Sequence, residues 1–249
     1  MKRFLLARAV ALVALAAAAG VVRAAEEKLV GYWRFDEGQG LAVRDSSGNG
    51  RDGRILNDGR NVKWVEGRNG MALEFVGGDP EKRNEAGCVE IPNVGDCDWS
   101  KGVTVEMWVK FTSFERNRTY ELVSTTFGDR GKGWRLILSW EALRFVSGEG
   151  GQGRTWGAAT RPAQTKLQPG VWYHIAATYD SGVFRIYLDG QEVGVSEPNL
   201  EMTPGRPSIY IGAYNGGYAY GLNGVVDDVK VYNRARTPEE IMASAKMAE

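Results

Sequence analysis

A chain of 249 residues with 43% hydrophobic and 25% charged residues has the make-up of an ordinary globular protein, long enough for one large domain. Its 31 basic and 31 acidic side chains balance, and no basic patch or stripe stands out, which argues against a nucleic-acid surface. Thirty-three glycines without a collagen period signal many tight turns.

Residues 1–24 read as a secretory signal: Lys2 and Arg3, an Ala/Leu/Val run over 9–22, then Val22-Arg23-Ala24 as a small-residue cleavage site. The run is shorter than the roughly 20 residues that span a bilayer. Cleavage after Ala24 is the expectation, with export to the periplasm, the cell surface or the extracellular space and no membrane insertion of the mature chain. The segment carries Lys2, Arg3, Arg8 and Arg23 and no acid, so residues 25–249 hold a net charge of −4. They read as a single domain, with no internal repeat and no linker.

Residues 28–35, KLVGYWRF, read as a first strand ended by Asp36-Glu37-Gly38. Residues 45–53 contain no aliphatic side chain and form a folded loop. Its Asp, Ser and Asn side chains either bond their own backbone or, with turn carbonyls, offer oxygens to a hard cation. Short strands are expected at 54–56, 63–65 and 71–75, then around Cys88. At 104–111 the pattern is clean: Val105, Met107, Val109 and Phe111 on one face, Thr104, Glu106, Trp108 and Lys110 on the other. Strands at 120–125, 134–139 and 143–147 follow.

Residues 171–190, VWYHIAATYDSGVFRIYLDG, alternate with period 2 on either side of Asp180-Ser181-Gly182, which predicts a hairpin closed by a three-residue turn. Neither face is strongly charged, so both faces are expected to be covered. Strands at 192–196, 208–213 and 224–232 complete the series. Thr237, Pro238 and Glu240 give a capping box and a first-turn proline, predicting one helix to about Met247. The whole is an all-β chain, a two-sheet antiparallel sandwich or barrel with a short C-terminal helix.

Two cysteines in an exported chain predict a Cys88–Cys97 disulfide pinning a strand end to the loop after it, the alternative being two separate buried thiols. Gly148 to Gly153 matches G-x-G-x-x-G, but no helix follows, so it reads as a loop. Asn117-Arg118-Thr119 is a glycosylation sequon that matters only in a eukaryotic host.

At Tyr32-Trp33-Arg34-Phe35-Asp36-Glu37-Gly38, 45–50, Trp172 through Asp180, Tyr187-Leu188-Asp189-Gly190, and 222–235, the chain resembles the laminin G-like jelly rolls of the concanavalin A-like lectin/glucanase superfamily. The resemblance implies two antiparallel sheets of six or seven strands, with first and last strands side by side. It also implies a structural calcium near the paired termini, with Asp227 as the best-matched ligand and Asp36 and Asn49 contributing. The competing reading pairs Asp36 and Asp227 with Arg34 or Lys230.

The superfamily includes hydrolases and lyases. A retaining hydrolase needs two carboxyl groups about 5 to 5.5 Å apart, and the comparable strand here offers Glu106 alone. His174, the only histidine, is the sole imidazole base, which a lyase would pair with a tyrosine such as Tyr187. A histidine within an apolar strand reads instead as a core residue, so no catalytic residue is assigned and a binding module is expected. Its partner would be a glycan or a cell-surface protein. The candidate ligand-binding residues, beside glycine-rich loops, are Trp134, Trp156, Tyr214, Asn215, Tyr218 and Tyr220, while Trp33, Trp108 and Trp172 lie within strands and read as core.

Overall fold

In the computed structural model, residues 28–77, 83–125, 132–148, 155–160 and 165–247 are described. The predicted signal segment and the glycine run after Gly148 lie outside them. Among the described residues, no helix is long and apolar enough to cross a membrane.

Sixteen strands in the described residues form two antiparallel eight-stranded sheets. The first sheet carries β1 (Leu29–Trp33), β4 (Val62–Glu66), β5 (Met71–Phe75), β7 (Val103–Phe111), β12 (Trp172–Asp180), β13 (Val183–Leu188), β14 (Gln191–Val195) and β16 (Gly224–Tyr232). Their order is β14-β13-β12-β7-β16-β5-β4, with β1 also on β16. The second sheet carries β2 (Ala42–Val43), β3 (Gly53–Ile55), β6 (Val89–Ile91), β8 (Thr119–Ser124), β9 (Gly133–Ser139), β10 (Ala142–Gly148), β11 (Thr155–Ala159) and β15 (Ile209–Ile211). Their order is β11-β10-β9-β8-β15-β6-β3-β2. First and last strands are neighbours, Trp33 opposite Val229. Both sheets exceed six or seven: in the first, β1 and β5 share one edge of β16, and in the second the short β2 and β3 extend one edge.

Alternation decides what faces the core. Val105, Met107, Val109 and Phe111 of β7 meet Leu136, Leu138 and Phe145 of the second sheet in one apolar cluster. At roughly 25 cal/mol per Å² of apolar surface, this inter-sheet burial is the main stabilising force. The opposite face of the β12–β13 hairpin is covered as expected, though by the C-terminal helix α1 (Pro238–Lys246): Ile241 packs on Ala176 and Tyr187. The Thr237 capping box forms with Glu240, and Met247 closes the helix.

Three expectations are corrected. Asp180 pairs directly with Val183, so Ser181 and Gly182, both at positive φ, make a two-residue turn, the primed type that matches strand twist. Residues 155–159 form an edge strand on β10, where the sequence reads as a loop. Pairing with β10 overrides the poor strand propensity of Gly157, Ala158 and Ala159.

Cys88 and Cys97 are not bonded. Val89 points into the inter-sheet core, so Cys88 beside it faces the other way, among Ala86, Tyr210 and Ala213. Cys97 packs against the inter-sheet core itself. The two thiols lie on opposite faces of the second sheet, and burial raises both their pKa values, that of Cys97 to about 11.

Candidate functional site

The predicted site residues separate into three groups. Trp134 is core: fully buried, edge-on to Trp99 at 5.7 Å and Phe145 at 6.0 Å. Trp156 is half-buried against the same core, its indole N–H donating to the Glu201 carbonyl at 2.5 Å. Neither presents a ring face for stacking with Tyr214 to Tyr220. Of the strand tryptophans, Trp33 is core, whereas Trp108 and Trp172 lie on the outer face of the first sheet, under Arg68 at 4.4 Å and Lys110 at 4.9 Å.

The segment from Tyr214 to Tyr220 is the group that holds together. Tyr214 and Ala219 pair as an isolated bridge, and Asn215, Gly216 and Gly217 take positive φ to turn the chain. The turn docks by Ala86 N–H to the Gly217 carbonyl at 3.1 Å, and Arg83 caps Tyr218, bonding its hydroxyl and lying 4.8 Å over its ring. Asn215 Oδ1 is buried in the turn without a hydrogen-bond partner.

Beneath this turn lies an ion pair. Arg135 of β9 sits 4.8 Å from the Tyr214 ring and 5.4 Å from the Tyr220 ring, which are 5.7 Å apart. Its Nε and Nη2 bond the Glu121 carboxylate at 3.0 and 2.5 Å, and Glu121 is fully buried. A β-bulge between Glu121 and Val123 aims that carboxylate out of the core and at Arg135. Tyr220 remains 48% exposed on top of a rigid base.

Sequence reasoning missed Trp140, 61% exposed at the β9–β10 turn. Ser139 pairs with Ala142, so Trp140 and Glu141 occupy both positive-φ positions of a two-residue turn, where Asn-Gly is the usual choice. Trp140 N–H bonds the Arg118 carbonyl, and Glu121 N–H bonds the Tyr220 carbonyl. Trp140 is thereby carried just before the start of β8, whereas Tyr220 bonds its third residue and lies over Arg135, the partner of Ser124 at the strand's other end.

Among the expected metal ligands, Asp36 and Asp227 converge on the β4–β5 turn and Asn49 does not. Asp227 is fully buried and accepts from Arg68 N–H at 2.8 Å and Asn69 N–H at 3.1 Å, both through Oδ2, while Oδ1 has no partner. Asp36 accepts from Met71 N–H at 3.1 Å and pairs with Arg34 at 3.0 Å. The glycine at 70 is required there, because a Cβ would strike the Asp36 carboxylate and φ is +76°. Asn49 instead donates to the Leu29 carbonyl at 2.8 Å, far along β1. Burial, with Asp228 alongside, pushes the Asp227 carboxyl up to about 7 against its backbone hydrogen bonds. The orphaned oxygen fits a cation; the donor set is short for calcium, since no group of three or more acidic, His or Cys side chains is poised for a metal among the described residues.

Glu106 is spoken for. Arg236 Nη1 reaches both its oxygens at 2.7 and 2.6 Å, and Ser244 Oγ adds a bond at 3.1 Å. His174 is 2% exposed, and burial, with Lys230 and Arg236 adding repulsion, lowers its pKa to about 3, which leaves a poor base at neutral pH.

The two packed antiparallel sheets and the adjacent first and last strands define a jelly-roll fold. A laminin G-type family model, described as the concanavalin A-like lectin/glucanases superfamily, matches residues 83–242, and the chain belongs to that family. Solved structures share the fold at low identity. The binding domain of Paraclostridial Mosquitocidal Protein 1 is 16% identical, with a TM-score of 0.67 over 88% of this chain and 52% of that one. The binding domain of botulinum neurotoxin DC in complex with SialylT is 13% identical, with a TM-score of 0.67 over 90% and 52%. This chain thus spans about half the length of those toxin domains. Domain 4 of AbnA, an extracellular GH43 arabinanase from Geobacillus stearothermophilus, in complex with arabinotriose, is 20% identical, with a TM-score of 0.58 over 88% and 98%.

Proposed function

We propose that this chain is an exported, non-catalytic binding module that takes a glycan at the surface around Tyr220. The observation that carries this is Tyr220, half-exposed and held from below by Tyr214 and the Arg135–Glu121 pair. Sugar C–H faces stack on such rings, and a ring already fixed loses little entropy on binding. Engagement of Glu106 by Arg236 and the neutral, buried state of His174 support a non-catalytic role. The arabinanase domain, solved with arabinotriose, supports a glycan over other ligands.

A glycan array is expected to return a hit for the intact chain. Tyr220→Ala is expected to weaken it roughly two- to tenfold, the size of one aromatic contact at about 0.5–1.5 kcal/mol. A blank array, or a hit indifferent to Tyr220→Ala, turns the assignment to a protein partner.

The same proposal includes calcium at Asp227 and Asp36, supported by the buried, unpartnered Oδ1, with backbone carbonyls and water supplying the oxygens that two carboxylates lack. Calcium is expected to raise the thermal midpoint in a concentration-dependent way, and Asp227→Asn to abolish the rise. An unchanged midpoint between calcium and chelator removes the metal and leaves the glycan site standing.

A further inference from the structure

Helix α1 covers only part of the outer face of the first sheet. Beside its C-terminal end lies a cavity of about 90 Å³ into which Tyr32, Glu106, His174, Asp228 and Lys230 all project, with Asn69 of the β4–β5 turn at its edge. It lies on the opposite sheet from the Tyr214 to Tyr220 turn.

The backbone is bent to build it. In β16, Val226, Val229 and Val231 face the core, a spacing of three and then two, because a bulge sits between Asp227 and Lys230. The extra residue, Asp228, is held at φ +52°, a left-handed conformation that a non-glycine residue adopts at a cost. Bulges re-aim side chains, and this one turns Asp228 to the outer face, where its Oδ1 accepts from the Tyr32 hydroxyl. Lys230 lies over the Tyr32 ring at 4.7 Å.

A second observation is independent of the bulge. His174 is 98% buried, edge-on to Trp108 at 5.3 Å, and its Nδ1 has no hydrogen-bond partner. A buried polar atom without a partner costs about 1–3 kcal/mol, and His174 is one of the residues lining the cavity, so a ligand there that draws the ring toward it and bonds Nδ1 relieves that cost.

The charges around the cavity specify the ligand class. Glu106 and Asp228 are matched by Arg236 and Lys230, so no net charge calls for an ion. Acceptors (Asp228, Glu106) and donors (Lys230, Asn69) line the cavity together, Lys230 opposite Glu106 across the β7–β16 pair, beside a neutral imidazole that can serve either way. Hydroxyl groups, which donate and accept at once, satisfy both. The volume is below the roughly 150 Å³ that takes benzene, which suits a diol edge and excludes a flat aromatic ligand. We propose that this cavity is a second ligand site, taking the vicinal hydroxyls of one neutral sugar residue or similar small polyol. It does not depend on the glycan reading of the Tyr220 surface.

His174 is the only histidine, so its imidazole gives a unique resonance in the isotopically labelled full chain. Titration with a panel of neutral pentoses and hexoses is expected to shift it saturably for at least one sugar. The corresponding uronic acids are expected to bind more weakly. Asp228→Asn keeps the left-handed backbone, which Asn tolerates, and an acceptor for Tyr32, yet removes the charge and one acceptor. It is expected to weaken the response roughly tenfold or more. Tyr220→Ala is expected to leave it unchanged while weakening array binding, so each site fails on its own readout. A His174 resonance that no neutral sugar moves, one moved more by uronic acids, or a response equal in wild type and Asp228→Asn overturns the proposal.

Discussion

Replacing Glu121 by alanine is expected to destabilise the folded chain by about 3–5 kcal/mol, the cost of stranding a buried charge by removing its partner. Both Glu121 oxygens are fully buried and bonded by Arg135, whose side chain is only 18% exposed and wedged against two tyrosine rings. Without the carboxylate, Arg135 must either stay unpaired or swing out and unseat Tyr214 and Tyr220. The double variant Glu121→Leu with Arg135→Met replaces the pair by apolar volume and is expected to recover most of the loss, since such swaps are often neutral or stabilising. Urea unfolding checks both, read as a lowered midpoint at unchanged slope. A single-variant loss below about 1 kcal/mol would place the pair among exposed ion pairs of little worth and deny the Tyr220 surface its rigid base. In the double variant, stability returns and glycan binding does not, which separates the two roles.

The parts of the fold legible in the sequence are those where one periodicity runs long enough to fix a face. Strand β7, the β12–β13 hairpin and β16 are each set by alternation, and α1 by its capping box. Where pairing partners supply the order, local pattern is silent: β11 exists because β10 offers it an edge. Trp134 was legible as core, since it shares parity with Leu136 and Leu138, which line the same cluster. Weighting its flanking glycine over that parity sends it to the surface. Trp140 was legible too, because the strands at 134–139 and 143–147 leave it on a tight turn, where a large side chain has nowhere to be buried. The Glu121–Arg135 pair could not be read. It depends on a bulge that shifts the β8–β9 register, and no spacing in the sequence encodes that shift. The same holds for Asp228, whose place on the outer face comes from one extra residue in β16.

Acidification is expected to cost the wild type about 3 kcal/mol more than His174→Gln between pH 7 and pH 4. In the unfolded chain the imidazole takes a proton near pH 6.5. In the folded chain burial, then the positive charges of Lys230 and Arg236, hold its pKa at about 3. Between those values the unfolded state binds the proton and the folded state does not, so stability falls as pH drops through the window and is fully present above about 6.5. The groups that face the ring from neighbouring elements are Tyr32, Glu106, Asp228, Lys230 and Arg236, with Asp189 bonded to the His174 backbone N–H at 2.9 Å. Asp227, whose carboxyl titrates near 7, gives the opposite slope, losing stability as pH rises. It is common to both proteins, and the difference between them therefore isolates the imidazole. Urea midpoints at pH 7, 5.5 and 4 in chelator measure that difference. Equal slopes would mean that His174 takes up its proton as readily in the folded chain as in the unfolded one. The cavity beside it would then carry an added positive charge and suit an anion instead of a neutral polyol, so the pH series and the sugar titration test one arrangement of charge by separate routes.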